Sequence, residues 1–226
     1  MAVAEQIEPL LNEMVLVGGC ALGLLMTDPA APSPSVTLDV DFTINVATYI
    51  DYHDITKRMG ALGFQPLISN SAPICRFTKN NLEVDIMPAD GNILGFTNKW
   101  YQHAIATCHV TRLPNDIVLR HIAGPAFLAT KLSAFLGRGK GDYFSSRDFE
   151  DIVAVVDGRP ELLDEVRNEI SEISNYISSE FNRMLKMRSF LDSLPGMLPG
   201  EAEPGKRLEI LLERFRGLAR IGHSRL

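Results

Sequence analysis

Cysteine is scarce and scattered. Cys20, Cys75 and Cys108 are odd in number and form no CxxC pair. A disulfide framework and a cysteine-rich zinc site are therefore excluded, and a reducing cytoplasm is the expected setting. The five histidines, His53, His103, His109, His121 and His223, include no HExxH and no close pair, so zinc-hydrolase chemistry lacks a ligand set. No GxSxG elbow is present for a serine hydrolase. Long apolar runs are missing too: the longest, Met14 to Met26, has 13 residues and is broken by Gly18, Gly19 and Gly23. A membrane span needs about 20. The first residues, MAVAEQIEPLLNE, lack the basic stretch of a signal peptide, so neither membrane insertion nor export is expected. Positive charge is also short, since 22 Lys and Arg against 28 Asp and Glu give a net charge of −6. Such a surface does not coat nucleic acid. A polyanionic partner would have to be held by a local patch or through metal ions.

What the chain does have is ordinary globular composition, 46% hydrophobic and 22% charged over 226 residues, enough for one large domain or two small ones. Apolar spacing predicts a short helix over 3–13, a strand over Met14 to Val17, a tight turn at Gly18-Gly19 and a helix from Cys20 to Met26. A loop, TDPAAPSPS, follows. Over residues 36–44, Val36, Leu38, Val40, Phe42 and Ile44 alternate strictly with Thr37, Asp39, Asp41 and Thr43, which predicts a strand with one buried face. A helix is expected at 49–61. Strands are expected at 64–68, 74–78 and 82–87, the last two joined by a hairpin turn at Lys79-Asn80-Asn81, and again at 108–113 and 117–122. The rest reads as helices at 125–137, 146–157, 160–180, 180–192 and 206–220, the last detached by a proline- and glycine-rich linker. No internal repeat is present. The organisation is an α/β region to about residue 122 followed by helices.

Charge is uneven along the chain. Residues 183–226 carry nine Lys and Arg against five Asp and Glu, a local excess of +4. In the last helix Leu208, Leu211, Leu212, Phe215 and Leu218 form an apolar stripe, while Lys206, Glu209, Glu213, Arg216 and Arg220 face away. This segment reads either as a patch for RNA or as an ordinary solvated face.

Asp39 and Asp41 carry the first chemical signal. On a strand they share a face, with side chains about 6–7 Å apart. Carboxylates that close repel unless a cation lies between them, and a hard divalent ion such as Mg²⁺ suits oxygen ligands. Aspartate is also a poor strand former, so two in an otherwise ideal strand mark a site. Asp85 repeats the pattern between Val84 and Ile86. It would complete a metal cluster, and could take a proton from an attacking hydroxyl. The Gly18-Gly19-Cys20 turn offers backbone N–H groups to phosphate, although it is neither a P-loop nor GxGxxG. Its structural alternative is packing. Lys131 has Phe127 and Phe135 at i−4 and i+4, so it either snorkels or points into a cleft where it would neutralise phosphate charge. Asp148, after Ser145-Ser146-Arg147, reads as a helix cap or as a partner of that lysine. The loop Gly137-Arg138-Gly139-Lys140-Gly141 is basic and generic.

Gly18-Gly19-Cys20, then Asp39-Val40-Asp41, then Asp85, resembles the signature of the nucleotidyltransferase superfamily related to DNA polymerase β. The stretch FLATKLSAFLGRGKGDYFSSRDFEDI, with Lys131 and Asp148, is similar to the corresponding region of AbiEii-type abortive-infection nucleotidyltransferase toxins. The resemblance covers residues 14–157. It implies an α+β fold: a nucleotidyltransferase palm over 1–122, with a mixed β-sheet flanked by helices, then a helical domain over 123–226 that completes the nucleotide and acceptor cleft. It implies that Asp39, Asp41 and Asp85 hold Mg²⁺, as two ions or as one with a second arriving on the NTP substrate. Gly18, Gly19 and the backbone of Cys20 would hold the phosphates, Lys131 would neutralise their charge, and Asp148 would orient Lys131. The implied reaction moves NMP to an acceptor hydroxyl and releases pyrophosphate. In a toxin the acceptor would be the 3′ end of a tRNA and an antitoxin protein the partner; a small antibiotic-type acceptor and a non-catalytic binding module are the alternatives. Cys20 departs from the usual Ser or Thr, and a thiol is the weaker donor.

Overall fold

The computed structural model describes residues 1–33, 37, 39–69, 72–198 and 205–224. The chain forms two compact units, Met1–Ala21 with Val36–Ala123, and Leu22–Ser35 with Gly124–Leu226. The class is α+β, as expected. Residues 22–35 group with the later helices rather than with the sheet. Their tie is backbone: the N–H groups of Thr27 and Asp28 both donate to the Gly158 carbonyl, at 2.8 and 3.0 Å.

In the first unit, β1 (Met14–Val17), β2 (Asp39–Ile44), β3 (Gln65–Pro66), β4 (Arg76–Lys79), β5 (Leu82–Pro88), β6 (His109–Arg112) and β7 (Val118–His121) form one seven-stranded sheet. Its order is β3-β4-β5-β2-β1-β7-β6. The sheet is mixed, with β2 parallel to β5 and β1 parallel to β7, and the remaining pairs antiparallel. Phe42, Ile44, Phe77, Val84 and Ile86 are buried. Val36 and Leu38, which open the predicted alternation, lie outside the described residues. Thr43 is buried as well, its hydroxyl donating to the Met87 carbonyl at 3.0 Å, so the end of β2 is covered on both faces. Asn80 takes a left-handed conformation (φ 54°) in the two-residue turn between β4 and β5, which asparagine tolerates.

The predicted helix over 3–13 is divided into α1 (Ala2–Gln6) and a 3-10 segment, Glu8–Glu13. Pro9 has no N–H to continue the helical ladder. α3 (Tyr49–Ala61), which follows the short α2 (Leu22–Leu25) of the other unit, matches its expected span. A reciprocal capping box explains its start, with Thr48 Oγ1 accepting from the Asp51 N–H and Asp51 Oδ2 accepting from the Thr48 N–H. From its buried stripe of Tyr52, Ile55 and Met59, the Tyr52 hydroxyl donates to the Ile86 carbonyl at 3.1 Å. α4 (Gly91–Leu94) and α5 (Tyr101–Ala106) are too short to carry a readable period.

The second unit contains α2, α6 (Gly124–Gly137), α7 (Arg147–Gly158), α8 (Leu162–Asn168), α9 (Ser171–Met184), α10 (Arg188–Ser193) and α11 (Lys206–Arg220). The helix predicted over 160–180 is broken at Glu169, whose backbone is extended. The one predicted over 180–192 is likewise divided: α9 runs on to Met184, and α10 restarts after the extended Met187. The linker over 194–206 begins as a 3-10 turn, Leu194–Met197, while 199–204 lie outside the described residues. Phe135, Tyr143, Phe149, Phe181, Phe190 and Phe215 form a connected aromatic core with ring centroids 5.0–5.8 Å apart. Such tilted and edge-on contacts add to the stabilisation from burial. Among the described residues, no helix is long and apolar enough to cross a membrane.

α11 is anchored by charge as well as by its apolar stripe. Arg207 donates from Nε to both oxygens of the buried Asp157 (2.7 and 2.9 Å), from Nη2 to Asp28 (3.1 Å) and from Nη1 to the Ala30 carbonyl (2.9 Å). Burial pushes the Asp157 carboxyl up against the opposing pull of Arg207 and Arg214. Arg207→Ala leaves that carboxylate buried without its main partner, which should cost about 3 kcal/mol. Urea unfolding should register this as a lower midpoint. A loss of under about 0.5 kcal/mol, the level of an ordinary surface change, would show that α11 is held by its apolar stripe alone.

Candidate active site

Strand register assembles the acids. β2 and β5 run side by side with Asp41 paired to Asp85 and Asp39 to Glu83. β4 returns antiparallel with Arg76 opposite Asp85, and β1 places Val17, and therefore the following Gly18, beside Asp41. Residues in register point to one face of a sheet. One ligand oxygen from each of Asp39, Asp41 and Asp85 lies within 4.8 Å of the others. Asp85 is buried and the other two are half-buried. The donor set is hard oxygen throughout. A cation bound at about 2.1 Å needs its oxygens no more than about 4.2 Å apart, so the observed spread closes with small side-chain rotations. The residues fit Mg²⁺.

A guanidinium shares this face. Arg76 donates from Nε to Asp85 Oδ1 at 2.7 Å and from Nη2 to Asp85 Oδ2 at 2.8 Å. Nη2 also reaches Asp39 Oδ2 at 2.7 Å, and Nη1 reaches Glu83 Oε2 at 2.8 Å. The hydrogen bonds to Asp85 hold the Arg76 pKa above its already high ordinary value. Arg76 was not among the residues expected at the site. The turn at Asn80-Asn81 contains the missing signal: pairing Lys79 with Leu82 counts back to Arg76 opposite Asp85.

The glycine turn abuts the acids. Gly18 has φ +66°, and a Cβ built on it would stand 1.9 Å from Asp41 Oδ2. Only glycine allows both that backbone conformation and that approach. Gly19, Cys20 and Ala21 then form a short 3-10 turn. The Cys20 thiol faces the approach to β2, with Sγ 2.8 Å from Thr37 Oγ1 and donating to the Asp39 carbonyl at 3.2 Å. Burial pushes this thiol up, so it stays protonated at neutral pH. Cys20 therefore fastens the turn to the strand that bears the aspartates.

In the second unit, Lys131 is buried on α6 and its ammonium lies 3.1 Å from Asp148 and 2.5 Å from Asp151, both on α7. Asp148 makes no side-chain cap. It accepts from Arg138 as well, Nε to Oδ2 and Nη2 to Oδ1, both at 2.9 Å. Asp151 was not expected, although its i+3 spacing from Asp148 puts both acids on one helix face. Burial pulls the Lys131 pKa down, but the two carboxylates outweigh it and hold it above the ordinary value. Burial raises Asp148, yet the Arg138 hydrogen bonds and the charges of Lys131 and Arg138 keep it below the usual carboxylate range. Asp151 is left above that range by burial. The basic excess over 183–226 is partly internal. Arg207 is bound as described, Arg214 donates to the Val156 and Asp157 carbonyls, and Arg183 pairs with Glu180 at 2.9 Å. Lys206, Glu209, Glu213, Arg216 and Arg220 are exposed, as the stripe on α11 predicts.

No family model matches the chain, and no curated protein matches it either. Among solved structures it is similar to JHP933 from Helicobacter pylori, at 13% identity and a TM-score of 0.49, over 98% of this chain and 89% of that one. It is also similar to an H. pylori protein provisionally named a nucleotidyltransferase, at 12% identity and a TM-score of 0.47, over 98% of this chain and 92% of that one.

Gly18→Ala should lower stability by roughly 1–3 kcal/mol, the usual range for a strained backbone position. It should also push the Asp41 carboxylate aside, so Mn²⁺ binding followed by EPR should weaken with it; unchanged affinity would place Asp41 outside the cluster. Asp148 supplies a pH test. Its pKa is lower in the folded chain, so its stabilisation is complete above the ordinary value of 3.8 and fades as pH falls toward the folded one. The stability gap between the wild type and Asp148→Asn should therefore shrink from about pH 5 to about pH 2. A gap that stays constant across that range would show that the Asp148 charge does not stabilise the fold.

Proposed function

We propose that the chain is a metal-dependent nucleotidyltransferase that moves NMP from an NTP to an acceptor hydroxyl and releases pyrophosphate, working in the cytoplasm with its cysteines reduced. One observation carries this reading: the carboxylates of Asp39, Asp41 and Asp85 converge on one sheet face against the Gly18 turn. Two-strand carboxylate clusters suit Mg²⁺, and the backbone N–H groups of a glycine turn suit phosphates. Mg²⁺ held by the three aspartates would stabilise the charge on the attacking and departing oxygens at the α-phosphorus. Asp85 would be the group that takes the proton of the attacking hydroxyl. The backbone of Gly18, Gly19 and Cys20 holds the β- and γ-phosphates, while the Cys20 thiol keeps the turn fixed on β2.

Lys131 and Asp148 enter through the resemblance, Lys131 as the group that neutralises triphosphate charge and Asp148 as the one that orients it. Their 3.1 Å pairing supports the orienting role. With Asp151 also bound, two of the ammonium's three N–H donors are engaged by carboxylates. The likeness to AbiEii-type toxins makes the 3′ end of a tRNA the proposed acceptor and an antitoxin protein the proposed partner. Exposed cations of 183–226, among them Lys186 and Arg216, are where an RNA would meet this segment. A small hydroxylated acceptor is the rival within the same chemistry.

The test is incubation of the purified protein with each labelled NTP and Mg²⁺, offering total RNA, protein and hydroxylated small molecules as acceptors. Label should appear in one class with matching pyrophosphate release. Asp41→Asn, folded by circular dichroism, should lose about a thousandfold in rate, the equivalent of several kcal/mol of metal-ion stabilisation. NTP binding without pyrophosphate release in the presence of any acceptor would make the protein a binding module; wild-type turnover in Asp41→Asn would remove the metal assignment.

A further inference from the structure

The guanidinium of Arg76 lies among the carboxylates proposed to hold the metal. It bonds both oxygens of Asp85 and one of Asp39, each at 2.7–2.8 Å, and anchors its third nitrogen on Glu83. Paired two-point contact of this kind is the strongest form of charge-assisted hydrogen bonding between side chains. Its effect on the sheet is direct. Asp39, Asp41, Glu83 and Asp85 bring four carboxyl groups together on two adjacent strands, and Arg76 on the next strand is in contact with three of them. It is largely shielded from solvent, with 18% of its side chain exposed, so water screens the arrangement only in part.

A divalent cation makes the same claim on the same atoms. Mg²⁺ demands close, nearly octahedral oxygen ligands. The Arg76 fork takes one lone pair on each Asp85 oxygen, so a metal arriving there would share both oxygens with a cation already in contact with them. A guanidinium and a dication drawn to one cluster also repel one another. We propose that Arg76 is the resident counter-ion of the carboxylate cluster, and that its fork and a divalent cation exclude each other at Asp39 and Asp85. The inference rests on the metal reading given above and adds its regulation. Without metal, Arg76 keeps the repelling acids assembled. When metal enters, the guanidinium must leave Asp39 and Asp85, retaining Glu83 as its hold on the sheet. Metal affinity is thus set by the difference between two cations competing for one nest, and folding of the sheet does not wait for metal.

The experiment is Mn²⁺ titration of the full chain by EPR, without nucleotide, for the wild type, Arg76→Gln and Arg76→Lys. Arg76→Gln should bind roughly tenfold tighter or more, the counterpart of removing one charge-assisted competitor. Arg76→Lys, which keeps the charge and loses the fork, should fall between. Thermal melts should show a larger Mn²⁺-induced rise for Arg76→Gln than for the wild type, because a tighter ligand stabilises more. Equal or weaker Mn²⁺ binding by Arg76→Gln overturns the inference and leaves the metal reading standing. Absence of Mn²⁺ binding in all three overturns both. Should Arg76→Gln fail to fold, NMR of the wild-type arginine side chains decides. The Arg76 Nε–H should be protected from exchange without metal and lose that protection when Mg²⁺ saturates the site. Protection that persists under saturating Mg²⁺ overturns the proposal.

Discussion

Like charges forced together on neighbouring strands are the constraint around which the first unit is arranged. Asp39 and Asp41 on β2 face Glu83 and Asp85 on β5 in register. Aspartate is disfavoured in strands, and adjacent carboxylates repel. The sheet tolerates them for two reasons. Its other residues, Phe42, Ile44, Phe77, Val84 and Ile86, are buried and hold the strands in place, and Arg76 brings a counter-charge from β4. The acids are therefore not a by-product of the fold. They are held against their own repulsion, which is the arrangement expected where local stability is given up for chemistry.

The helical unit solves a related problem with a different geometry. Lys131 on α6 is enclosed between Asp148 and Asp151 on α7, with Arg138 returning to Asp148 from the loop. A buried lysine without partners would lose its proton, so the two acids account for its being tolerated there. Such pairs rarely add much to stability once desolvation is counted, and their better-attested effect is to fix register. Here they tie α6 to α7 beside the aromatic cluster.

Much of this is legible in the sequence wherever a local pattern dictates structure. Alternation from Asp39 to Ile44, the hairpin turn at Lys79-Asn80-Asn81, the span of α3 and the stripe on α11 all follow from spacing and residue type. The features that are hidden depend on contacts distant in the chain. Arg76 looks like any polar residue on a strand until register places it opposite Asp85. The break at Glu169 leaves no trace because Val166 and Ile173 are seven residues apart, a spacing that an unbroken helix would also show. Cys20 reads as a weakened phosphate ligand, yet its thiol is turned toward Thr37 and the Asp39 carbonyl. Whether a side chain serves a ligand or its own backbone is decided by packing, which spacing alone does not encode.

The path of the chain between the units has its own consequence. Leu22–Ser35 departs from the sheet region, joins the helices through Gly158, and returns before β2 begins. A cut after Ala123 would therefore yield neither an intact amino-terminal piece nor an autonomous carboxy-terminal one. The second would lack α2, along with Asp28 and the Ala30 carbonyl that meet Arg207. During synthesis the helical part must wait for the chain beyond Gly124 while an early stretch stays unsatisfied, so nascent residues 22–35 are exposed to proteases and holdase chaperones until the late helices emerge.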